Sequence, residues 1–527
     1  MAGVFVLSNF SEITRQRIGR ELKPKKTEYV GTQTLMMYVV LPKHNRLYVP
    51  YYYAKCLAYS TEESFDSVVN LEAVRTIVIN DRPEEQTAPA ITFGWKLQPQ
   101  QIEPFNRVDQ TLVSHGSVFL HAATASGKSA ALSYIASKFN VYCLVYVTNK
   151  TFADQITKSL RKATNAVVWQ PSGTKGQTSP PLDVRIVVVT PKQYHRVPEA
   201  YRDSVGLLMI DEAHLTCTRQ SINVILDLRP RYVVAMTATA ERNDGMEIFI
   251  RYLCGPAIVE IPFTIPVRYL RWDTGFTIPK FTNEITGKGD WTKHVDYIAN
   301  HNERNEHVAQ LCADIISLND LSTPVDDTSP LIQRLLRKFS IKVGTKFKII
   351  LLTANAKDQN DAMLSRLRAK GLTCDYRDGG KGDYIDCQVL VGHPSKNGTG
   401  FDQQTTCTNY DGIPINIVIP MITSKSPGLC MQCLGRAARA PEAIKIDLRD
   451  KGVYTESHYK KGMAYVLDDL IDLEVIDYDL YTKPKTPLVS STTTSYDVRD
   501  INVTRIVDKI VETHLSMTIT RTKASTI

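Results

Sequence analysis

No run in this sequence approaches the roughly 18 consecutive apolar residues that a membrane-spanning helix needs. Its start, MAGVFVLSNFSEITRQRIGR, sets no basic segment ahead of an apolar one, so no secretory signal is expected. Cysteine is sparse: ten in 527 residues, with one close pair at Cys430 and Cys433. No second pair or histidine cluster follows to complete a zinc site, and reduced thiols in a cytosol-like compartment are expected. Charge is mild, with 63 basic against 55 acidic residues; the net +8 is compatible with a polyanionic partner without requiring one. The composition, 43% hydrophobic and 22% charged, excludes a disordered, collagen-like or coiled-coil chain. Its length is too great for one core and implies two to four domains.

Residues 1–91 read as a β-rich accessory module. A basic arm (Arg15, Arg17, Arg20, Lys23, Lys25, Lys26) precedes the tyrosine-heavy stretch LMMYVVLPKHNRLYVPYYYAKCLAY, where Pro42 and Pro50 favour short strands. Exposed, those tyrosines would stack on bases; buried, they are core. From 92 to 262, strand-length apolar runs recur: VFLHA, CLVYVT, RIVVVT, GLLMID and RYVVAMT, with helical stretches such as SAALSYIASKF between several of them. Near-continuous apolar strands alternating with helices imply a parallel sheet covered on both faces. The pattern returns between 345 and 450 in FKIILLT, CQVLVGH and INIVIPM. Residues 263–344 read as a connector with one helix near HVAQLCADIISL. Residues 451–527 read as a small C-terminal extension, a Lys/Pro/Ser/Thr linker followed by one amphipathic helix, INVTRIVDKIVETHL. The expected class is α/β, two parallel-sheet domains in tandem.

The strongest local signal is Ala122-Ala123-Thr124-Ala125-Ser126-Gly127-Lys128-Ser129, between a strand and a helix. Backbone N–H groups of such a loop converge on phosphate oxygens at a helix N-terminus. Lys128 would reach the β- and γ-phosphates, and the Ser129 hydroxyl would ligate Mg²⁺. Alanine at 122 and 125 replaces the glycine common in such loops. Next, an apolar strand ends in Asp211-Glu212-Ala213-His214. Asp211 would hold the Mg²⁺ through water, and Glu212 would deprotonate the attacking water. Alone, the pair also reads as a helix cap. Thr237-Ala238-Thr239 closes the following strand. Further on, Gly398-Thr399-Gly400-Phe401-Asp402 follows a strand, and Gln432-Cys433-Leu434-Gly435-Arg436-Ala437-Ala438-Arg439 sets two arginines three apart. On one helix face, Arg436 and Arg439 would act as arginine fingers or simply face solvent.

The ordered series AATASGKS, DEAH, TAT, GTGFD and QCLGRAAR resembles the ATPase motifs of superfamily two helicases. The resemblance implies two RecA-like domains with ATP between them, bound with Mg²⁺. It also brings in LQPQQ, where Gln101 would read the adenine, and VTNKTFADQ, whose Thr148, Asn149 and Lys150 would touch the nucleic-acid backbone together with Thr190 and Thr399. Asp402 and Gln432 would belong to the nucleotide site. TATAERNDG is closer to DNA-translocating members, and YVVLPKHNRLYVPYYYAK is similar to the N-terminal module of the poxvirus-type late transcript-release DNA helicases. The implied partners are single-stranded, forked or duplex DNA, with RNA or an RNA–DNA hybrid left open, and viral transcription machinery. The implied setting is the host cytoplasm or viral factory, with packaging in the virion left open; no membrane is involved. A duplex translocase that separates no strands, an RNA helicase and a decayed motor acting as a scaffold stay open beside this reading. For a strand-splitting wedge, Trp169, Phe276 and the N-terminal tyrosines are candidates.

Overall fold

The computed structural model describes residues 4–6, 10, 12–23, 25–28, 31–34, 36–54, 89–122, 126–171, 180–181, 183–238, 247–261, 267–285, 287, 289–320, 345–353, 358–377, 383–394, 403–424, 430, 433, 435, 440, 443–452, 454–458 and 475–479. The N-terminal module holds β1 (Val4–Val6), a helix at Glu12–Glu21, the hairpin β2 (Lys25–Glu28) and β3 (Gly31–Thr34), then β4 (Val39–Leu41) and β5 (Arg46–Tyr48). Strands β1, β5 and β4 form a small antiparallel sheet in that order. Short strands broken at Pro42 are what the proline placement predicts.

A seven-stranded sheet follows, built from β6 (Ser117–Ala122), β7 (Cys143–Tyr146), β8 (Val167–Trp169), β9 (Val184–Val189), β10 (Leu207–Ile210), β11 (Tyr232–Thr237) and β12 (Ile258–Ile261). Its order is β12-β6-β11-β10-β7-β9-β8, all parallel. Successive residues serve two cores. Leu208, Ile210, Val233 and Ala235 face one, and Leu207, Met209, Val234 and Met236 face the other. That alternation explains the unbroken apolar runs, because neither face meets water.

The first of these cores also takes in Phe10, Ile18, Leu22, Leu47, Tyr51 and Tyr53, so the N-terminal module and this sheet share one apolar interior. The Tyr51 hydroxyl donates to the Arg231 carbonyl (2.7 Å), just before β11. The module therefore meets the sheet at the edge where strands begin. Tyr51 and Tyr53 are only 5% and 8% exposed. For these two, the core alternative holds and base stacking is excluded.

The second sheet comprises β13 (Val267–Thr277), β14 (Ile349–Leu352), β15 (Cys374–Arg377), β17 (Val389–Gly392), β19 (Ile417–Pro420), β20 (Ala443–Lys451) and β21 (Val475–Asp479). Its order is β15-β17-β14-β19-β20-β13-β21, again all parallel; β16 (Tyr384–Ile385) and β18 (Cys407–Thr408) pair separately. The expected tandem of parallel-sheet α/β units is present. Two segments differ from their expected places. The stretch read as a connector supplies β13, inserted between β20 and β21, and the helices Trp291–Asn300 and Asn302–Ser317. The C-terminal extension supplies the edge strand β21. Charged residues in VRYLRWDTGFT and AIKIDLRDK break the apolar continuity that marks the other strands. The helix expected at INVTRIVDKIVETHL lies outside the described residues.

Candidate active site

Because every strand of the first sheet runs the same way, β6, β11 and β10, which are neighbours, end at one edge. Ligands of open parallel sheets bind at that edge. The phosphate loop leaves β6 after the buried Ala122 and enters the helix Lys128–Phe139 through Ser126 and Gly127. Gly127 has φ 97°, and a Cβ there would stand 2.1 Å from Gln101 Nε2, so the loop needs glycine at this position. Gln101 is buried and uses both ends of its amide. Its Oε1 accepts from Gln98 N (3.0 Å), closing a capping box on the helix Pro99–His115, and its Nε2 donates to the Ser126 carbonyl (2.9 Å). Here it braces the phosphate loop against that helix.

Two strands away, β10 delivers Asp211 and Glu212, both buried. The Asp211 N–H still donates to the Tyr146 carbonyl (3.0 Å), and its own carbonyl accepts from Thr216 Oγ1 (2.5 Å). Glu212 stands in the left-handed region (φ 44°, ψ 55°), an uncommon conformation for a residue with a Cβ. This turn points its carboxylate back across the sheet edge, where Oε1 accepts from Lys128 Nζ in an ion pair. Glu212 Oε2 lies 3.5 Å from His214 Nδ1, and that nitrogen lies 2.6 Å from Thr237 Oγ1 at the end of β11. His121, at the end of β6, reaches the Ala238 carbonyl through Nε2 (3.1 Å). The ends of three adjacent strands are thus joined by side-chain contacts centred on Lys128 and Glu212.

Burial and the neighbouring Glu212 charge raise the Asp211 carboxyl to about 7, against the lowering pull of Lys128. Its Oδ1 is buried with no hydrogen-bond partner. A desolvated, orphaned carboxylate oxygen near a helix that offers the Ser129 hydroxyl is the hard oxygen set that magnesium prefers. The residues fit the ion.

The strand-end loops expected on nucleic acid leave the neighbouring β7 and β9 at the same edge. Asn149 Oδ1 accepts from Phe152 N (3.1 Å) and caps the helix Lys150–Ala163, leaving Asn149 and Lys150 exposed and Thr148 half-buried. Thr190 is buried. Its hydroxyl donates to Gln193 Oε1 (2.9 Å), which also accepts the Thr190 N–H (3.1 Å). That hydroxyl already serves the fold rather than facing outward. Gln193 escaped the sequence reading, although Thr190-Pro-Lys-Gln193 has capping-box spacing. Ala123, Thr124, Ala125, Thr399, Asp402, Gln432, Arg436 and Arg439 lie outside the described residues.

Residues 100–246, which hold nearly all of this geometry, match the DEAD/DEAH box helicase family. This part of the chain is similar to DEAD/DEAH box helicase domains. Several relatives carry the same kind of name. A protein of Invertebrate iridescent virus 6 named "Putative helicase 161L" is 21% identical over 403 residues, 72% of this chain and 83% of that protein. "Putative ATP-dependent RNA helicase QP509L" of African swine fever virus is 26% identical over 194 residues, 35% of this chain and 38% of that one. "DNA 3'-5' helicase XPB" of Kineococcus radiotolerans is 28% identical over 177 residues, 32% of this chain and 31% of its own length. The match therefore falls on the first parallel-sheet unit. The similarity to the iridescent virus protein, covering 72% of the chain, reaches well beyond it.

Proposed function

We propose that this chain is an ATP-driven DNA helicase or translocase of viral origin, working in late transcription or DNA processing. The observation that carries the ATPase part is the Lys128–Glu212 ion pair beside the orphaned Asp211 Oδ1 at one sheet edge. With ATP at the loop, Lys128 has a stronger anion to bind than Glu212. Its transfer to the phosphates releases the Glu212 carboxylate to accept a proton from the attacking water. Ser129 and Asp211 would hold a magnesium ion, which supplies neutralisation of phosphate charge. His214 contacts Thr237 and, at 3.5 Å, Glu212, so a change at the acid is felt at the end of the adjacent β11.

In this reading Arg436 and Arg439 grip the γ-phosphate from the second unit, and Thr148, Asn149, Lys150 and Thr399 track the sugar–phosphate backbone. Contacts of that kind are tolerant of sequence and sensitive to salt. DNA is favoured by the relative named a DNA helicase and by TATAERNDG. An RNA substrate is the second reading, favoured by the African swine fever virus relative's name. Action in the host cytoplasm with viral transcription proteins as partners is part of this proposal; the viral relatives bear on the viral origin alone. ATP turnover measured with single-stranded, duplex and forked DNA and with RNA tests the proposal, with Lys128→Ala as control. Strong stimulation by DNA that the control lacks is expected. Stimulation by RNA alone replaces DNA with RNA, and none by any polymer ends the helicase reading.

A further inference from the structure

A helicase needs a rigid apolar edge at which base pairs are split. Trp169 is buried in the first sheet's core, and Tyr51 and Tyr53 are buried where that sheet's strands begin. Phe276 packs against His301 and His307, with ring centroids 5.0 and 5.2 Å away. None of these is presented to a duplex.

Another element is. Beyond β13 the chain turns out in a loop whose ends, Thr282 and Gly289, form an antiparallel bridge. Its base is clamped twice at the Phe281 carbonyl, by Asp290 N (2.9 Å) and by the Tyr454 hydroxyl (3.0 Å). A Cβ on Gly289 would stand 1.8 Å from that same hydroxyl, so the clamp closes only over glycine. Asn283 shapes the tip, its Oδ1 accepting from Ile285 N (3.0 Å) and its carbonyl from Gly287 N (2.9 Å). Ile285 is 95% exposed, the highest value for a large hydrophobic side chain among the described residues. Beside it, Glu284 lies 3.8 Å from Lys293 on the helix that begins at Trp291, itself 37% exposed.

A lone surface isoleucine is ordinary. One fixed at the tip of a doubly clamped loop adds nothing to the core yet is held in place. All strands of the second sheet are parallel, so the loop leaves from the same edge as the segments after β14 and β17. In the sheet order, β13 stands three places from β14, about 14 Å at the usual strand spacing.

We propose that this loop is the strand-separating pin, with Ile285 inserted at the terminal base pair of a forked duplex. Aliphatic side chains wedge between base steps in this way. The proposal rests on the helicase reading, and the test keeps the two apart. Three rates are measured on the full chain and on Ile285→Ala, Ile285→Asp and Ile285→Phe: ATP turnover on single-stranded DNA, displacement of streptavidin from a biotinylated single strand, and unwinding of a fork. In Ile285→Asp, fork unwinding is expected to fall at least about tenfold, through loss of the apolar wedge that offsets part of the unstacking cost, while the other two stay within about twofold. Ile285→Ala is intermediate and Ile285→Phe retains unwinding. Normal unwinding by Ile285→Asp overturns the pin. So do equal losses in all three rates, and so does a wild-type chain that moves along single strands but opens no fork. If Ile285→Asp unwinds normally but no longer binds a protein partner, the loop is a docking site instead. ATP turnover that ignores every nucleic acid removes the helicase reading itself.

Discussion

Two lysines, one in each parallel-sheet unit, make opposite use of the same chemistry: Lys348 is buried and Lys128 half-buried. Lys348 stands just before β14, where strands of the second sheet begin. Its Nζ donates to both oxygens of Asp386 (2.7 and 2.7 Å) and to Asp411 (2.6 Å), so its hydrogen-bonding capacity is filled. Lys128 stands where strands of the first sheet end. Among the described residues it pairs with Glu212 alone, beside an aspartate whose Oδ1 has no partner there. The satisfied lysine ties a loop to a strand; the under-satisfied one is poised to exchange its partner. In a parallel sheet, the starting edge can be closed with complete polar networks, whereas the finishing edge must keep unmet capacity for a ligand.

Substitutions can break this contrast. Glu212→Gln should lower nucleic-acid-stimulated ATP turnover by roughly 10²–10⁴, the usual worth of a general base, with no fall in melting temperature. A parallel loss of stability would make the carboxylate structural. Lys348→Ala should do the reverse. Removing one member of a buried ion pair costs about 3 kcal/mol here, toward the low end because Asp411 is 43% exposed. Denaturant unfolding should register that loss, while turnover per folded molecule holds.

The smallest effect on stability concerns Asp211. An ordinary aspartate ionises near 3.8, and burial beside Glu212 holds this one at about 7. Between those values the folded chain binds more protons than the unfolded one, so stability should fall as pH rises from about 4 to 7 and level off above. Asp211→Asn should abolish that slope and raise stability at pH 8 on the order of 1–3 kcal/mol, while turnover is lost. Melting curves at pH 4 and pH 8 check it; equal slopes for both proteins would contradict the raised carboxyl.

Legibility in the sequence followed chain continuity. The strands around VFLHA, CLVYVT, RIVVVT and GLLMID were readable because both faces are apolar, and the loop and acid motifs because each is contiguous. β20 was hidden because Lys445 and Asp447, two residues apart, neutralise each other inside it (3.1 Å), so burial there does not look hydrophobic. The bracing of Gln101 on Ser126, the Lys128–Glu212 pairing and the Tyr454 clamp depend on residues 25, 84 and 173 positions apart. Contacts at such separations leave no local pattern to read. The loop between Thr282 and Gly289 carries no such signal either, because its tip is aliphatic where an aromatic wedge is the expectation.

The shared interior of the N-terminal module and the first sheet bears on where this protein can be cut. The family match begins at residue 100, which invites expression of a shorter ATPase fragment from there. Such a fragment would lose Ile18, Leu22, Leu47, Tyr51 and Tyr53 from beside Phe249, Ile250 and Leu253. It would expose a greasy face to solvent and invite precipitation. The smallest fragment that keeps this interior covered therefore starts well upstream of the family match.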